Sequence, residues 1–193
     1  EVVSGVSSSQ PITRTLQQKF DDFVSVRDFG AMGDGVTDDT IAINRALSEL
    51  YTREVNSKIR RSLFFPAGTY KVTDTIKVPS YAKLYGEGAK SSTIKYYVDG
   101  SVAVAVVRTT DSKNQTGANI GFSATVPTDI EISSMGFEST SDNDIFLLES
   151  TTNSSFENIS LKGPKTTTTL SSSDDKACIK IQGTTLLVPV NIT

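Results

Sequence analysis

Two short strand-like units recur in the last third of this chain. "ISSMGF" from Ile132 can be laid over "FENISL" from Phe156, an offset that matches Met135 with Ile159 and Phe137 with Leu161. "IFLLES" from Ile145 resembles "CIKIQG" from Cys178, a longer step whose extra residues fall in the Ser/Thr-rich "PKTTTTLSSSDD". Strands recurring at this spacing are what stacked β-coils require, because each coil buries its inner face only against its neighbours. The sequence stops in "LLVPVNIT", an apolar run without a polar cap. An open apolar coil would aggregate, so the natural protein is expected to continue beyond Thr193.

The same character begins at Ser62. Short β-rich runs split by Pro and Gly predict strands at Leu63–Phe65, Thr69–Val72, Thr75–Val78, Ala82–Tyr85 and Thr93–Tyr97. "SVAVAVVRT" reads as a further strand, followed by a polar loop over 109–128. Upstream, Ile43, Ala46, Leu47 and Leu50 fall at i, i+3, i+4 and i+7, with Ile41 and Ala42 thickening the stripe, which predicts an amphipathic helix. "FVSVRDF" before it alternates like a short strand, and "GAMGDG" is a turn cluster. Residues 1–12 read as a flexible lead-in. "TRTLQQKFDDFV" places Leu16, Phe20, Phe23 and Val24 on one face of a short helix that must dock on the body or on copies of itself. The expected division is a lead-in and neck helix over 1–24 and a β domain over 25–193.

Composition removes several classes of chemistry. The chain has no histidine, which excludes Ser-His-Asp and Cys-His catalysis and His-ligated metals within it. Its one cysteine, Cys178, excludes an internal disulfide and Cys-based zinc; the alternation around it predicts a buried structural thiol. A net charge of -3 argues against nucleic acid as a partner. No apolar run approaches the roughly 20 residues of a membrane span.

Four aspartates, Asp28, Asp34, Asp38 and Asp39, crowd around Gly30, Gly33 and Gly35 in "VRDFGAMGDGVTDDTIAI". The spacing does not supply the alternating ligands of a calcium loop. A helix start explains them: Thr37 as N-cap, Asp38 and Asp39 in the first turn against the helix dipole, and Asp34-Gly35 as a tight turn. No metal or cofactor is expected.

"VSVRDFGAMGDGVTDDTIAINRAL" closely resembles the opening motif of the pectate-lyase-like, right-handed parallel β-helix superfamily. "FFPAGTYKVTDTIKVPS", "KLYGEG" and "STIKY" resemble its next segments in the same order, so the resemblance covers roughly residues 24–97. It implies a mainly β fold: the first coils of a right-handed parallel β-helix, with a short N-terminal helix and an amphipathic capping helix. It also implies that the acidic motif is architectural.

The preceding "TLQQKFDDFVSVRDFGA" resembles bacteriophage tailspike and related virion proteins, in which a neck leads into a trimeric β-helix. That implies a virion location, self-association as a homotrimer, and contact with other tail proteins through the N-terminus. It also implies attachment to bacterial surface polysaccharide, capsule or lipopolysaccharide, which such proteins often cleave in their full-length form. The alternatives are a fragment of a secreted cellular polysaccharide lyase or glycosidase, and a structural virion β-helix without activity.

Glycoside cleavage needs paired carboxyl groups. Glu131, Glu138, Asp142, Asp144, Glu149 and Glu157 could stand on outward positions of consecutive coils, and "ESTSDND" concentrates Glu138, Asp142 and Asp144. A solvated turn explains the same residues. Polygalacturonases use Asp residues plus a His, so that site cannot be complete here. Tyr70, Tyr81, Tyr85, Tyr96 and Tyr97 could stack on sugars or serve as ordinary strand residues.

Overall fold

Short extended segments pair in parallel with the segment one coil earlier, and the chain winds through them four times. The computed structural model describes residues 2–4, 12–16, 23–53, 61–97, 105–110, 127–141, 143–149, 151–163 and 178–182. Near the start, β1 (Val2–Ser4) and β2 (Ile12–Arg14) form an antiparallel pair where the sequence predicts a flexible lead-in. Most of the predicted neck helix lies outside the described residues; its members Leu16 and Phe23 are exposed.

An opening half-coil holds β3 (Val24–Ser25), β4 (Asp34–Asp38) and helix α1 (Thr40–Leu47). Three strands then make each coil. They are β5 (Leu63–Phe65), β6 (Gly68–Val72) and β7 (Ile76–Pro79), then β8 (Lys83–Gly86), β9 (Ser92–Tyr96) and β10 (Ala105–Thr110). Next come β11 (Glu131–Ser133), β12 (Gly136–Ser139) and β13 (Asp144–Glu149), then β14 (Ser155–Glu157), β15 (Ser160–Lys162) and β16 (Ile179–Gln182). Stacking these coils gives three parallel sheets, ordered β3-β5-β8-β11-β14, β4-β6-β9-β12-β15 and β7-β10-β13-β16. This is a right-handed parallel β-helix, as the sequence implies.

The register reproduces the repeat read from sequence. Ile132 aligns with Phe156 and Phe137 with Leu161, while Phe146 aligns with Ile179. Inward rows such as Val24, Leu63, Leu84, Ile132 and Phe156 run the length of a sheet. The rings of Phe137, Phe146 and Phe156, one from each sheet region, meet edge to face at 4.7 and 5.5 Å between centroids. The corners also repeat. Ser134 and Asn158 take φ of 55° and 49°, and Asp129 and Asn153 take 56° and 50°. Asn and Asp tolerate this left-handed geometry better than most residues. The Asn158 amide donates to Ser134 Oγ one coil below, and the Asn153 amide donates to the Asp129 carboxylate.

Helix α1 closes the open edge of the third sheet. The Asn44 side-chain amide donates to the Thr75 carbonyl at 3.1 Å, and its oxygen accepts from the Lys77 amide at 2.8 Å. It stands where the peptide of a further strand would stand. Ile43, Ala46 and Leu47 are buried as predicted, but Ile41 is 81% exposed. Two residues of helix separate it from Ile43 by about half a turn, so it cannot join their face. After Leu47 the chain loosens into a π-helical turn over Ser48–Arg53, which brings Tyr51 into the core.

The acidic motif is architectural, with details that differ from the sequence reading. Thr37 is not the N-cap. Between Asp34 and Asp38, β4 spans two more residues than its partner β6, and Thr37 lies in this bulge. Its amide and hydroxyl donate to Asp34 at 2.8 Å each, as does the Val36 amide. The helix starts at Thr40, whose amide and hydroxyl donate to Asp38 at 3.0 and 2.5 Å; the Thr73 hydroxyl donates to the same carboxylate at 2.6 Å. Buried Asp39 accepts from the amides of Met32 and Gly33 at 2.7 and 3.0 Å. Gly33, at φ +65°, needs to be glycine, because a Cβ there would sit 2.9 Å from the Tyr70 ring.

Two further readings are corrected. "FVSVRDF" is only two residues of strand. A 3-10 turn over Val26–Phe29 follows, because Ser25 and Asp28 cap each other reciprocally. Cys178 is exposed rather than buried. It precedes β16 on the outermost described coil, where Ile179 and Ile181 are also 41% and 50% exposed. Among the described residues, no helix is long and apolar enough to cross a membrane.

Candidate functional site

The second sheet directs alternate side chains outward, since successive residues of a strand face opposite ways. Its inward positions Tyr70, Ile94 and Phe137 are buried. The outward positions between and beside them form two rows across five strands. One row is Asp38, Lys71, Lys95, Glu138 and Lys162; the other is Asp34, Thr69, Thr93, Gly136 and Ser160.

A groove of about 350 Å³ opens on this face, lined in part by Lys90, Thr93, Gly136, Glu138, Ser160 and Lys162. That volume lies at the lower end of the range for small-ligand sites. Gly136 is needed for the shape: a Cβ there would sit 2.6 Å from the Ala89 carbonyl oxygen. Glu138 is half-buried, with Oε2 3.7 Å from Lys95 Nζ and Oε1 3.7 Å from Lys162 Nζ. Beside the groove, the Tyr97 ring lies 5.1 Å from Lys95 Nζ and 5.7 Å from Lys71 Nζ, within cation–π range. The Tyr97 hydroxyl, and Glu138 less strongly, hold the Lys95 ammonium above the ordinary lysine range against the opposing effect of burial. The arrangement can hold a negatively charged or polyhydroxylated ligand.

The sequence candidates separate in space. Glu138 lines the groove. Asp142 lies outside the described residues. Asp144 is buried at the start of β13 on the third sheet, with Lys180 Nζ 3.8 Å away, and is not a wall of the groove. Glu131 pairs with Lys83 at 2.9 Å on the first sheet, Glu149 pairs with Arg108, and Glu157 is exposed. Of the tyrosines, Tyr70 and Tyr96 are fully buried, and Tyr85 stacks against Phe64 at 4.9 Å. A second, smaller recess of about 160 Å³ between α1 and the third sheet is lined by Asn44, Ser48, Lys77 and Thr110. Asn44 is already committed there to the edge of β7.

A search for acids in the sequence overlooks the lysines. The signal is nevertheless present: Lys71 to Lys95 and Glu138 to Lys162 repeat the spacing from Ile132 to Phe156. Where one turn of the coil has that length, side chains so spaced stack on one face.

Three stacked parallel sheets, a capping helix and a polar groove on the outer face define a pectate-lyase-like parallel β-helix. Residues 23–184 match the family described as rhamnogalacturonase A/epimerase, pectate lyase-like, and the chain belongs to that family. A segment of 81 residues is 42% identical to glucan 1,3-beta-glucosidase of Cochliobolus carbonum, covering 42% of this chain and 9% of that protein. Another of 73 residues is 37% identical to the pre-neck appendage protein of Bacillus phage phi29, covering 38% of this chain and 7% of that one. The solved structure of ORF18 from Geobacillus virus E2 superposes with a TM-score of 0.61 at 26% identity, over 76% of this chain and 27% of that chain. The chain thus spans less than a tenth of the two curated relatives and about a quarter of the viral structure. Its likeness to phage appendage proteins agrees with the tailspike-like character read from "TLQQKFDDFVSVRDFGA".

Proposed function

We propose that this chain is part of a phage tail or neck appendage that attaches the virion to bacterial surface polysaccharide, capsule or lipopolysaccharide. The observation that carries this reading is the groove on the outer face of the second sheet, lined by Lys90, Lys162 and Glu138, with Lys95 beside Glu138 and against Tyr97. The phage relatives support its placement on a virion. In this reading the protein works as a homotrimer, with other tail proteins held at its N-terminal end. The described walls of the groove carry one carboxylate, Glu138, whereas hydrolysis of a glycosidic bond ordinarily uses two. Attachment is therefore assigned to this face, and depolymerisation, if the whole protein performs it, to other residues.

The test is binding of the purified protein to labelled capsule and lipopolysaccharide from a panel of hosts, with light scattering to count subunits. Binding to polymer from some hosts and a trimeric mass are expected. A folded protein that binds none of the polymers would overturn the attachment reading, and a monomer would overturn the trimer.

The 42% identity to a fungal glucosidase favours a second reading, a fragment of a cellular glycosidase or lyase. Of the sequence candidates Glu138, Asp142 and Asp144, Glu138 is the acid such an enzyme would use in this groove. Loss of polymer cleavage in Glu138→Gln, with folding intact, would favour that reading.

A further inference from the structure

We infer that the recess between helix α1 and the third sheet is a binding site for a single tetrahedral oxyanion, a phosphate or sulfate group, which fastens the cap to the sheet edge. The site lies on a different sheet from the attachment groove and stands independently of it.

Three elements wall the recess, whose volume is about 160 Å³. Asn44 on α1 and Ser48 just after it are four residues apart and so share a helix face. Lys77 comes from β7 and Thr110 from the end of β10. Ile76 and Val78 are buried on the inner side of β7, which puts Lys77 on the outer side. Asn44 is held in place by its two bonds to the edge of β7. Lys77 and Thr110 are not engaged in this way. Among the described residues no carboxylate or aromatic ring pairs with the Lys77 ammonium. Every other lysine on a described strand has such a partner: Lys71 the Tyr97 ring, Lys83 Glu131, Lys95 and Lys162 Glu138, and Lys180 Asp144. Thr110 is only 2% exposed, yet its hydroxyl has no hydrogen-bond partner among the described residues. Comparably buried hydroxyls nearby are bonded: Thr75 donates to the Ala105 carbonyl, and Thr151 to the Thr109 hydroxyl. Buried polar groups are ordinarily paired, so a partner for Thr110 belongs in the recess it lines.

The lining selects the ligand. An ammonium is a donor only, and a hydroxyl donates where an acceptor is offered. No carboxylate is among the described walls, and Arg108, beside Lys77 in its row, is already paired with Glu149. The group that fits is therefore an acceptor with negative charge. A guanidinium fork suits a planar carboxylate, whereas a lysine acts as a point charge. Here the charge comes from β7, a hydroxyl from β10, and the helix-side wall carries Ser48. Donors on separate walls surround a ligand rather than lie in one plane with it, which suits a tetrahedral group. The recess is smaller than the roughly 300–1,000 Å³ of small-molecule sites, so it takes one such group. Bound there, the anion would tie α1 to β7 and β10, at the junction that Asn44 closes.

The experiment titrates the purified protein with inorganic phosphate, sulfate and acetate against chloride at matched ionic strength, with binding read by calorimetry. Phosphate and sulfate should each bind saturably and raise the melting temperature as they do so. Lys77→Met should weaken phosphate binding about tenfold or more, the scale of one charge-assisted contact, and Thr110→Val about threefold. Lys77→Arg keeps the charge and should retain part of the affinity. Lys83→Met, on the first sheet, should leave phosphate binding unchanged. With phosphate bound, hydrogen exchange should slow at the Lys77 amide, which Asn44 holds, and not in β13. Circular dichroism checks that each variant is folded; if Lys77→Met is not, Thr110→Val decides. Absence of saturable binding at tens of millimolar phosphate and sulfate would overturn the inference, leaving a recess filled by water. Acetate binding as tightly as phosphate, equal weakening by Lys83→Met, or full affinity in folded Thr110→Val would each overturn it as well.

Discussion

The helix cap and the outer face of the second sheet are both built from charged side chains, and they use their carboxylates differently. In the cap, Asp34, Asp38 and Asp39 accept short hydrogen bonds from amides and hydroxyls within a few residues or one coil away. Their oxygens are committed, and each bond closes a bulge, a helix start or a turn. On the sheet face, Glu138 lies 3.7 Å from two ammonium groups and makes close contact with neither. The difference teaches how to separate structure from function among polar residues. Saturated local bonding marks architecture; loosely paired charge on the outer sheet face is the kind of surface on which the attachment proposal rests.

Substitutions can break this contrast. The largest effect is expected at Asp39. Asp39→Ala strips two amides of their acceptor in a buried site and should cost about 3 kcal/mol in urea unfolding. A loss below about 0.5 kcal/mol would mean the cap does not depend on it. Asn44→Ala should cost about 2 kcal/mol, because the Thr75 carbonyl and Lys77 amide at the edge of the third sheet lose their partner. Hydrogen exchange should quicken at Lys77 before it does in β10 or β13.

The pH dependence of the cap sharpens the comparison further. Burial pushes the Asp38 carboxyl up, but hydrogen bonds from Thr40 and Thr73 outweigh it and hold the group below its ordinary value of 3.8. Stability from Asp38 is therefore present above that value and is lost as pH falls through the lower folded value. Asp39 has the opposite sign. Burial, with smaller help from Asp34 and Asp38, raises it despite the amides of Met32 and Gly33. Its contribution is present below 3.8 and is lost as pH rises through the higher folded value. In melting-temperature profiles across acid pH, Asp38→Asn should flatten the fall below 3.8, and Asp39→Asn should flatten the loss above it. The smallest effect is expected on the face: Lys95→Met with Lys162→Met should change stability by less than about 0.5 kcal/mol, since long, partly solvated pairs contribute little. A large loss there would make the lysines structural.

Much of the fold is legible because burial writes a period into the chain. The offsets between apolar runs predict which strands stack, and Ile132–Phe156 and Phe146–Ile179 pair as those offsets require. The cap is less legible. Thr37 has the composition of an N-cap, but the bulge between Asp34 and Asp38 shifts the helix start to Thr40. A bulge depends on pairing with β6, which local spacing does not reveal. The groove is legible only as Glu138. The lysines in and beside it lie on different coils: equal spacing links Lys71 to Lys95 and Glu138 to Lys162, but the longer step from Lys95 to Glu138 hides that all four belong to one row until the register is known.

By itself, then, the sequence determined the coil: alternating apolar residues that can be buried only by stacking, and an acidic opening motif whose residue types suit turns and helix starts. Absence of histidine also fixed which chemistry this chain cannot perform alone. Only the tertiary structure decided which charges meet. Parallel stacking brings side chains from different coils to within one rung of each other. Whether a carboxylate there ends saturated, as in the cap, or shared between two cations, as at Glu138, depends on register and not on composition.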